Sequence, residues 1–429
     1  MKVAIIHYHL NPGGVTRIIG SQVQSLAEFE DIEDIVVLCG NCNNQSSLHG
    51  VRIIADPVLD YSKPDETGTD YNKKASGIKE FIRQHTKGYI LHFHNPNLGK
   101  NSALTLAVYQ LASEGWPVVN HSHDFAEDRP ENMEVLNRMT GTTGLRTSEI
   151  LYPGLVGYHF VVLNSCDFER VMNSGIPAGR VHLIPNPVAM GKSGTPRNKG
   201  ELRSRVLEKL NLDLRKKTCT YPVRGIKRKN LGEFILLAVL FKNTCQFVIT
   251  QPPLNPVELP GYLQWKKFSD YHDIGIKFEA GEIIDHEDLI GISDFCLTTS
   301  WREGFGMVYL EPWLAGTPVS GRDLPCITGD LRKYGLEFPG LYDQISVRTS
   351  ADARDFKDLE PEDQKMLIVR ILESSREREK LIRMNPFLES LFDPVEDEII
   401  HRNREIIRNQ FSVPHYGKRL FALYKNILG

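Results

Sequence analysis

The chain has 429 residues, 41% of them apolar and 24% charged, with a formal net charge of -3. That length is too great for one hydrophobic core and predicts two domains, while the near-balanced charge excludes bulk attraction to nucleic acid or anionic membrane. Seven cysteines, scattered from Cys39 to Cys326, do not make the paired framework of a small secreted domain; they predict a reducing compartment and a cytoplasmic location.

The first apolar run, in MKVAIIHYHL, is interrupted by His7 and His9 too soon for a signal sequence or a spanning helix, and reads as a buried strand. Strand and helix patterns then alternate: a helix from about Thr16, DIVVLCG, VRIIADP, a helix near Ile78, YILHFH, a helix from about Ser102, PVVNHSH and YHFVVLNS. Strands apolar on both faces, alternating with helices, predict a parallel sheet covered on both sides. Residues 189–218, rich in Gly, Pro, Lys and Arg with one short helical pattern, read as a linker. The same grammar resumes with TCTYPV, a helix around NLGEFILLAVL, CQFVIT, IKFEAG, DFCLTTS and TPVSG, followed by a charged helical tail from about Ala351. Its last segment sets Leu420, Leu423, Tyr424 and Ile427 on one face, which must dock. The expected fold is α/β, with two doubly wound Rossmann-like domains, residues 1–188 and 189–404, facing each other across a cleft lined by strand ends.

Three strand ends carry chemistry. After the first strand, Gly13 and Gly14 could let backbone approach a ligand at a helix start, or form a plain turn. In YPVRGIKRKNLGEF, Arg224 and Lys229 stand where a leaving diphosphate could be stabilised in place of magnesium; the alternative is a solvated basic turn, since Lys227 and Arg228 lie between them. In DFCLTTSWREGFGMVYLEPW, a strand ending at Ser300 leads into a loop with Glu303, Gly304 and Gly306, and the next helix carries Glu311 after seven intervening residues. Loop amides and two carboxylates suit sugar and ribose hydroxyls.

This last segment resembles the E-x7-E signature of retaining GT-B glycosyltransferases of the GT4-like (glycosyl transferases group 1) family, and Arg224 with Lys229 match its R-x4-K spacing. Gly13-Gly14 resembles that family's glycine-rich first loop, and LIPNPV its domain crossing. The resemblance implies that Glu303 contacts donor-sugar hydroxyls with the Phe305 and Gly306 amides nearby, that Glu311 holds the ribose, that His123 lies near the sugar, and that a final helix, residues 405–429, returns to the first domain. It implies transfer of a hexose from a UDP- or GDP-sugar to an acceptor hydroxyl, with no cofactor and no metal; the acceptor is expected to be small and soluble. Asn186-Pro187, Thr250 and Pro312 depart from the family pattern, and Pro312 is expected to loosen the helix after Glu311.

Other readings remain beside this one. A sugar-nucleotide epimerase, a phosphorylase or a silent nucleotide-sugar-binding subunit would share the architecture. The pairs His7/His9, His92/His94 and His121/His123 each put two imidazoles on one strand face; they could converge on zinc or line a pocket. Cys39 and Cys42 read as core or loop thiols.

Overall fold

The computed structural model describes residues 1–42, 48, 50–62, 68–189, 199–348 and 352–429. The chain forms two compact units, Met1–Ala189 with Phe411–Gly429, and Met190–Gln410.

In the first unit the order is β1 (Lys2–His9), α1 (Gly14–Leu26), β2 (Asp34–Asn41), β3 (Arg52–Ala55), α2 (Tyr71–Thr86), β4 (Ile90–His94), α3 (Ser102–Ser113), β5 (Val118–His121), α4 (Pro130–Thr143), α5 (Thr147–Leu151), β6 (Tyr158–Val162), α6 (Ser165–Asn173) and β7 (Val181–Leu183). The strands form one sheet in the order β3-β2-β1-β4-β5-β6-β7, and every pairing is parallel. Its central strands are buried on both faces, which is why their sequences are apolar without alternation. The order reverses between β1 and β4, so the gap beyond their carboxyl ends is the natural ligand position in this sheet.

The second unit contains α7 (Lys199–Leu210), β8 (Lys217–Arg224), α8 (Leu231–Phe241), β9 (Cys245–Gln251), α9 (Leu259–Tyr271), β10 (Ile276–Lys277), α10 (His286–Ile292), β11 (Phe295–Thr298), α11 (Glu311–Leu314), β12 (Val319–Arg322), α12 (Pro325–Lys333), β13 (Gly340–Tyr342), β14 (Ser346–Arg348), β15 (Ala353–Asp355), α13 (Pro361–Glu373), α14 (Ser375–Met384) and α15 (Asp397–Gln410). Its parallel sheet runs β10-β9-β8-β11-β12-β13 and reverses between β8 and β11. Helix α8 is buried on nearly every side, as its unbroken apolar sequence requires.

The chain then returns to the first unit as α16 (Val413–Leu428). Tyr416, Leu420, Leu423 and Tyr424 pack with Ile18, Ile19, Val23 and Leu26 of α1 in one apolar cluster. Gly417 permits the close approach: a Cβ there would lie 2.6 Å from the Ser25 side chain. Phe421 stacks on Phe29 at 4.3 Å between ring centroids.

Two sequence expectations need correction. Residues 199–210 belong to the second unit and not to a linker, because α7 buries Val206, Leu207 and Leu210 against Val248, Leu289 and Ile292; residues 190–198 lie outside the described residues. The helical tail begins at Pro361, since β14 and β15 first form an antiparallel pair that buries Val347 and brings Asp355 to Arg322. Ala351 also lies outside the described residues.

Candidate active site

The second unit places its basic turn and its acidic loop at the reversal of strand order. Lys229 follows β8, Glu303 follows β11, and those two strands are neighbours. Strand β11 ends at Thr298, two residues before the expected Ser300, because Thr299 turns its hydroxyl onto the turn after β8. Its Oγ1 donates to the carbonyls of Lys229 at 2.9 Å and Asn230 at 3.1 Å. Tyr221 of β8 also donates its hydroxyl to the Lys229 carbonyl, so the turn is held from beneath by two buried side chains.

Glu303 is almost fully buried and ion-paired with Lys229. Its other oxygen accepts from Arg228 Nη1 at 2.8 Å, and the same guanidinium nitrogen donates to the Arg302 carbonyl at 2.9 Å. Arg228 was legible only as part of a solvated cationic run; the structure makes it the second partner of the buried acid. Burial alone would raise the Glu303 carboxyl, but Lys229 and Arg228 overcome it and hold the group below the usual carboxylate range. Burial lowers Lys229 against the opposing pull of Glu303. An ammonium has three N–H donors and Glu303 engages it as one partner, so Lys229 retains capacity for an incoming phosphate.

The sign for stability follows from the lowered carboxyl. Glu303 contributes fully above its unfolded value near 4.5, and the contribution is lost as pH falls through its lower folded value. The stability gap between the wild type and Glu303→Gln should therefore be constant near neutrality and shrink below about pH 4. Urea titrations at stepped pH check this, and a gap that widens with acid contradicts it.

Around this triad, Gly306 sits at φ +82°, where a Cβ would meet the Tyr309 ring at 2.8 Å, so glycine is required to turn the loop into α11. Phe305 is buried, and Gly304 is half-buried beside it. Glu311 is the first residue of α11, and its carboxylate lies 4.0 Å from Nε2 of His286, the first residue of α10. His286 was not anticipated, because nothing in the sequence ties the start of α10 to the E-x7-E segment. Pro312 does not loosen the helix as expected. It occupies the first turn, where its missing N–H is not needed, and its carbonyl accepts from Ala315 at 3.0 Å and Thr317 at 3.0 Å. Arg224 ends β8 after a register irregularity between Tyr221 and Arg224, and its Nε donates to Gln251 Oε1 at 3.3 Å. The structure thus joins Lys229, Arg228 and Glu303 directly, and places Arg224 at the end of β8 and Glu311 at the start of α11. Thr250 Oγ1 donates to the Val223 carbonyl at 3.2 Å, and a Cβ on Gly281 would lie 2.7 Å from the Thr250 carbonyl, which fits the absence of a side chain at Gly281.

The remaining predicted residues belong to the first unit. Gly13 precedes α1 in extended conformation and Gly14 opens the helix; both are exposed, and no side chain caps this end. His123 is buried, and its backbone amide donates to Asn95 Oδ1 at 2.6 Å. Five of the six paired histidines converge: His7, His92, His94, His121 and His123. His9, half-buried, sits at the edge of the group, its ring 5.5 Å from that of His7 and 5.0 Å from that of Tyr61. Nitrogens of His92, His94 and His121 lie within 4.8 Å of one another and include no carboxylate. His92 Nε2 bonds His121 Nδ1 at 3.2 Å and His94 Nδ1 bonds His123 Nε2 at 2.8 Å, and three imidazoles so grouped are also the kind of donor set that zinc takes. Cys39 and Cys42 are free thiols. Beyond β4 and β5, Asn95, Asn97, Asn120, Ser122, Asp124 and Glu127 share a small recess with Phe125, Ala126, Leu151, Tyr152 and Phe160, so polar groups stand among largely apolar walls.

No protein-family model matches the sequence. The chain is 28% identical over 342 residues to the mannosylglucosyl-3-phosphoglycerate synthase of Petrotoga mobilis, an alignment covering 72% of this chain and 62% of that relative. The chain thus spans less than two thirds of that protein. Among solved structures, Anabaena HepE in complex with UDP and glucose superposes with a TM-score of 0.60 at 12% identity, covering 99% of each chain. Sucrose-phosphate synthase from Thermosynechococcus elongatus gives 0.61 at 15% identity, covering 100% of this chain and 99% of that one. These likenesses show the fold: two parallel-sheet Rossmann-like domains of the GT-B kind found in glycosyltransferases. Among the described residues no helix is long and apolar enough to cross a membrane.

Proposed function

We propose that this chain is a retaining, metal-independent hexosyltransferase that uses a nucleotide diphosphate sugar. The observation that carries the reading is the Lys229–Glu303–Arg228 triad, fixed at the strand reversal of the second sheet in a GT-B fold. In this reading Glu303 and the Gly304–Gly306 backbone engage sugar hydroxyls, Glu311 holds the ribose, and Arg224 with Lys229 stabilises the departing diphosphate. Gly13, Gly14 and His123 are the donor contacts assigned to the first unit. The acceptor oxygen forms a bond to the anomeric carbon on the face from which the diphosphate leaves; the bond from that carbon to the phosphate oxygen breaks, and that oxygen takes the acceptor proton. No separate protein base is then needed.

A small, soluble acceptor is supported by the product for which the relative is named, a sugar-bearing 3-phosphoglycerate. The recess beyond β4 and β5, where amides and carboxylates stand among apolar walls, is the proposed acceptor side. A UDP-sugar donor is supported by the neighbour solved with UDP-glucose, and a GDP-hexose is the alternative. We place the protein in the cytoplasm, with no cofactor beyond its donor.

Thermal-shift measurements with UDP-, GDP- and ADP-glucose and -mannose test the donor, followed by product analysis with the best one. Glu311→Ala should weaken nucleotide binding about tenfold, the loss of one charge-assisted hydrogen-bonding partner. Should no nucleotide sugar raise the melting temperature, or Glu311→Ala bind as the wild type does, the proposal fails.

A further inference from the structure

The histidine cluster lies on the face of the first sheet covered by α1 and α16. Gln22 of α1, His92, His121 and Tyr424 of α16 are 0% exposed, His94 is 1% exposed and His123 9%. Burial lowers His92 and His123 to about 3, and takes His94 and His121 well below the ordinary imidazole value, with the neighbouring rings adding to it. Each ring is therefore neutral at pH 7, with one N–H and one lone pair.

That constraint makes the hydrogen bonds between them directional. One branch runs from Gln22 Nε2 to the Tyr424 hydroxyl at 2.9 Å, from Tyr424 to His92 Nδ1 at 2.7 Å, and from His92 Nε2 to His121 Nδ1 at 3.2 Å. The other joins Gln22 Oε1 to His94 Nε2 at 2.7 Å and His94 Nδ1 to His123 Nε2 at 2.8 Å. A neutral imidazole that donates at one nitrogen accepts at the other, so each ring passes the direction set by the Gln22 amide and the Tyr424 hydroxyl along its branch. Gln22 is the junction, because its amide must donate to one branch and accept from the other. With its N–H toward Tyr424, that hydroxyl accepts from Gln22 and donates to His92, which suits the 2.7 Å separation of an O–H donor. The Gln22 carbonyl then accepts from His94 Nε2–H, leaving His94 Nδ1 bare to accept from His123 Nε2–H. The cost of this arrangement falls on His121 Nε2, a buried nitrogen without a protein partner.

We infer that Gln22, His94 and Tyr424 are positioning residues that hold His123 as its Nε2–H tautomer, with Nδ1 as a lone pair. Resting on the reading of His123 as a donor-sugar contact, this makes it an acceptor of a sugar hydroxyl's hydrogen bond and never a donor. The return helix α16, 402 residues from Gln22 in sequence at the Tyr424 contact, thereby sets the chemistry of a strand-end side chain.

Long-range imidazole 1H–15N correlation spectra of the full chain, labelled with 15N-histidine at pH 7, report each tautomer directly. The expected result is Nε2–H with a bare Nδ1 at His92, His94, His121 and His123; an Nδ1–H tautomer at His94 or His123 in the wild type overturns the inference. Tyr424→Phe and Gln22→Leu should each leave His94 and His123 as mixtures of tautomers, and unchanged single tautomers in both folded variants overturn the positioning role. Titration with UDP-glucose separates the two ideas. A shift of His123 Nδ1 on binding is expected. If binding occurs and that nitrogen does not respond, the donor-contact reading of His123 fails while the tautomer assignment stands.

Discussion

Replacing Lys229 with alanine should depress kcat by on the order of 100- to 1,000-fold, the loss seen when one preorganised donor to developing negative charge is removed. Lys229 is held by Glu303 and by the two hydroxyls that bind its carbonyl, so under the proposed function its ammonium would be in place before the diphosphate begins to leave. On that proposal no reorganisation would be needed at the moment of bond breaking. The same substitution leaves Glu303 with Arg228 as its ionic partner, and a loss of stability could imitate a loss of chemistry. Lys229→Arg separates the two: it keeps the charge beside Glu303 but alters its reach, so the melting temperature should recover more than kcat does. Steady-state transfer assays alongside melting curves decide the matter, and a Lys229→Ala enzyme with wild-type kcat removes the lysine from the mechanism.

The largest expected effect on stability lies in the same unit, at Arg322. This arginine is 2% exposed and sits between two buried carboxylates. Its Nε donates to Glu233 Oε1 at 3.0 Å, Nη1 to Asp355 Oδ2 at 2.7 Å, and Nη2 to Asp355 Oδ1 at 2.9 Å. Burial raises the Glu233 carboxyl even against the pull of Arg322, whereas Asp355 is driven below its usual range because Arg322 outweighs its burial. Removing the cation would leave two acids buried without their common partner. Arg322→Ala should cost about 3–5 kcal/mol, read as a fall in the urea midpoint. Glu233→Gln should cost less, since Arg322 keeps both bonds to Asp355. The damage should also reach the active site, because Asn230 Nδ2 donates to Glu233 Oε2 at 2.9 Å and Asn230 closes the turn carrying Lys229. An Arg322→Ala protein as stable as the wild type would show that the network is not a stabilising element.

The parallel sheets were legible because strands buried on both faces write an apolar run. Pieces held by long-range contact were not legible. Arg228 reads as one cation among three, and only the fold shows that it shares Glu303 with Lys229. Strands β14 and β15 have three residues each, too few for any period to show, and exist because Asp355 is drawn to Arg322. The period-two spacing of the histidine pairs did place their rings on one face. It could not show that the rings would satisfy one another, or that Gln22 and Tyr424 would finish the pattern.

The chain leaves the first unit, builds the whole of the second, and comes back, and the outgoing and returning segments are tied where the Val188 amide donates to the Phe411 carbonyl at 2.7 Å. Synthesis from the N-terminus therefore delivers α16 to its seat on α1 only after every residue of the second unit has left the ribosome. Until then Ile18, Ile19, Val23 and Leu26 lack the α16 side chains that complete their burial, so the nascent first unit exposes the kind of surface that chaperones recognise. A stop codon placed after residue 410 would release a protein whose second unit has all its residues and whose first unit remains sticky.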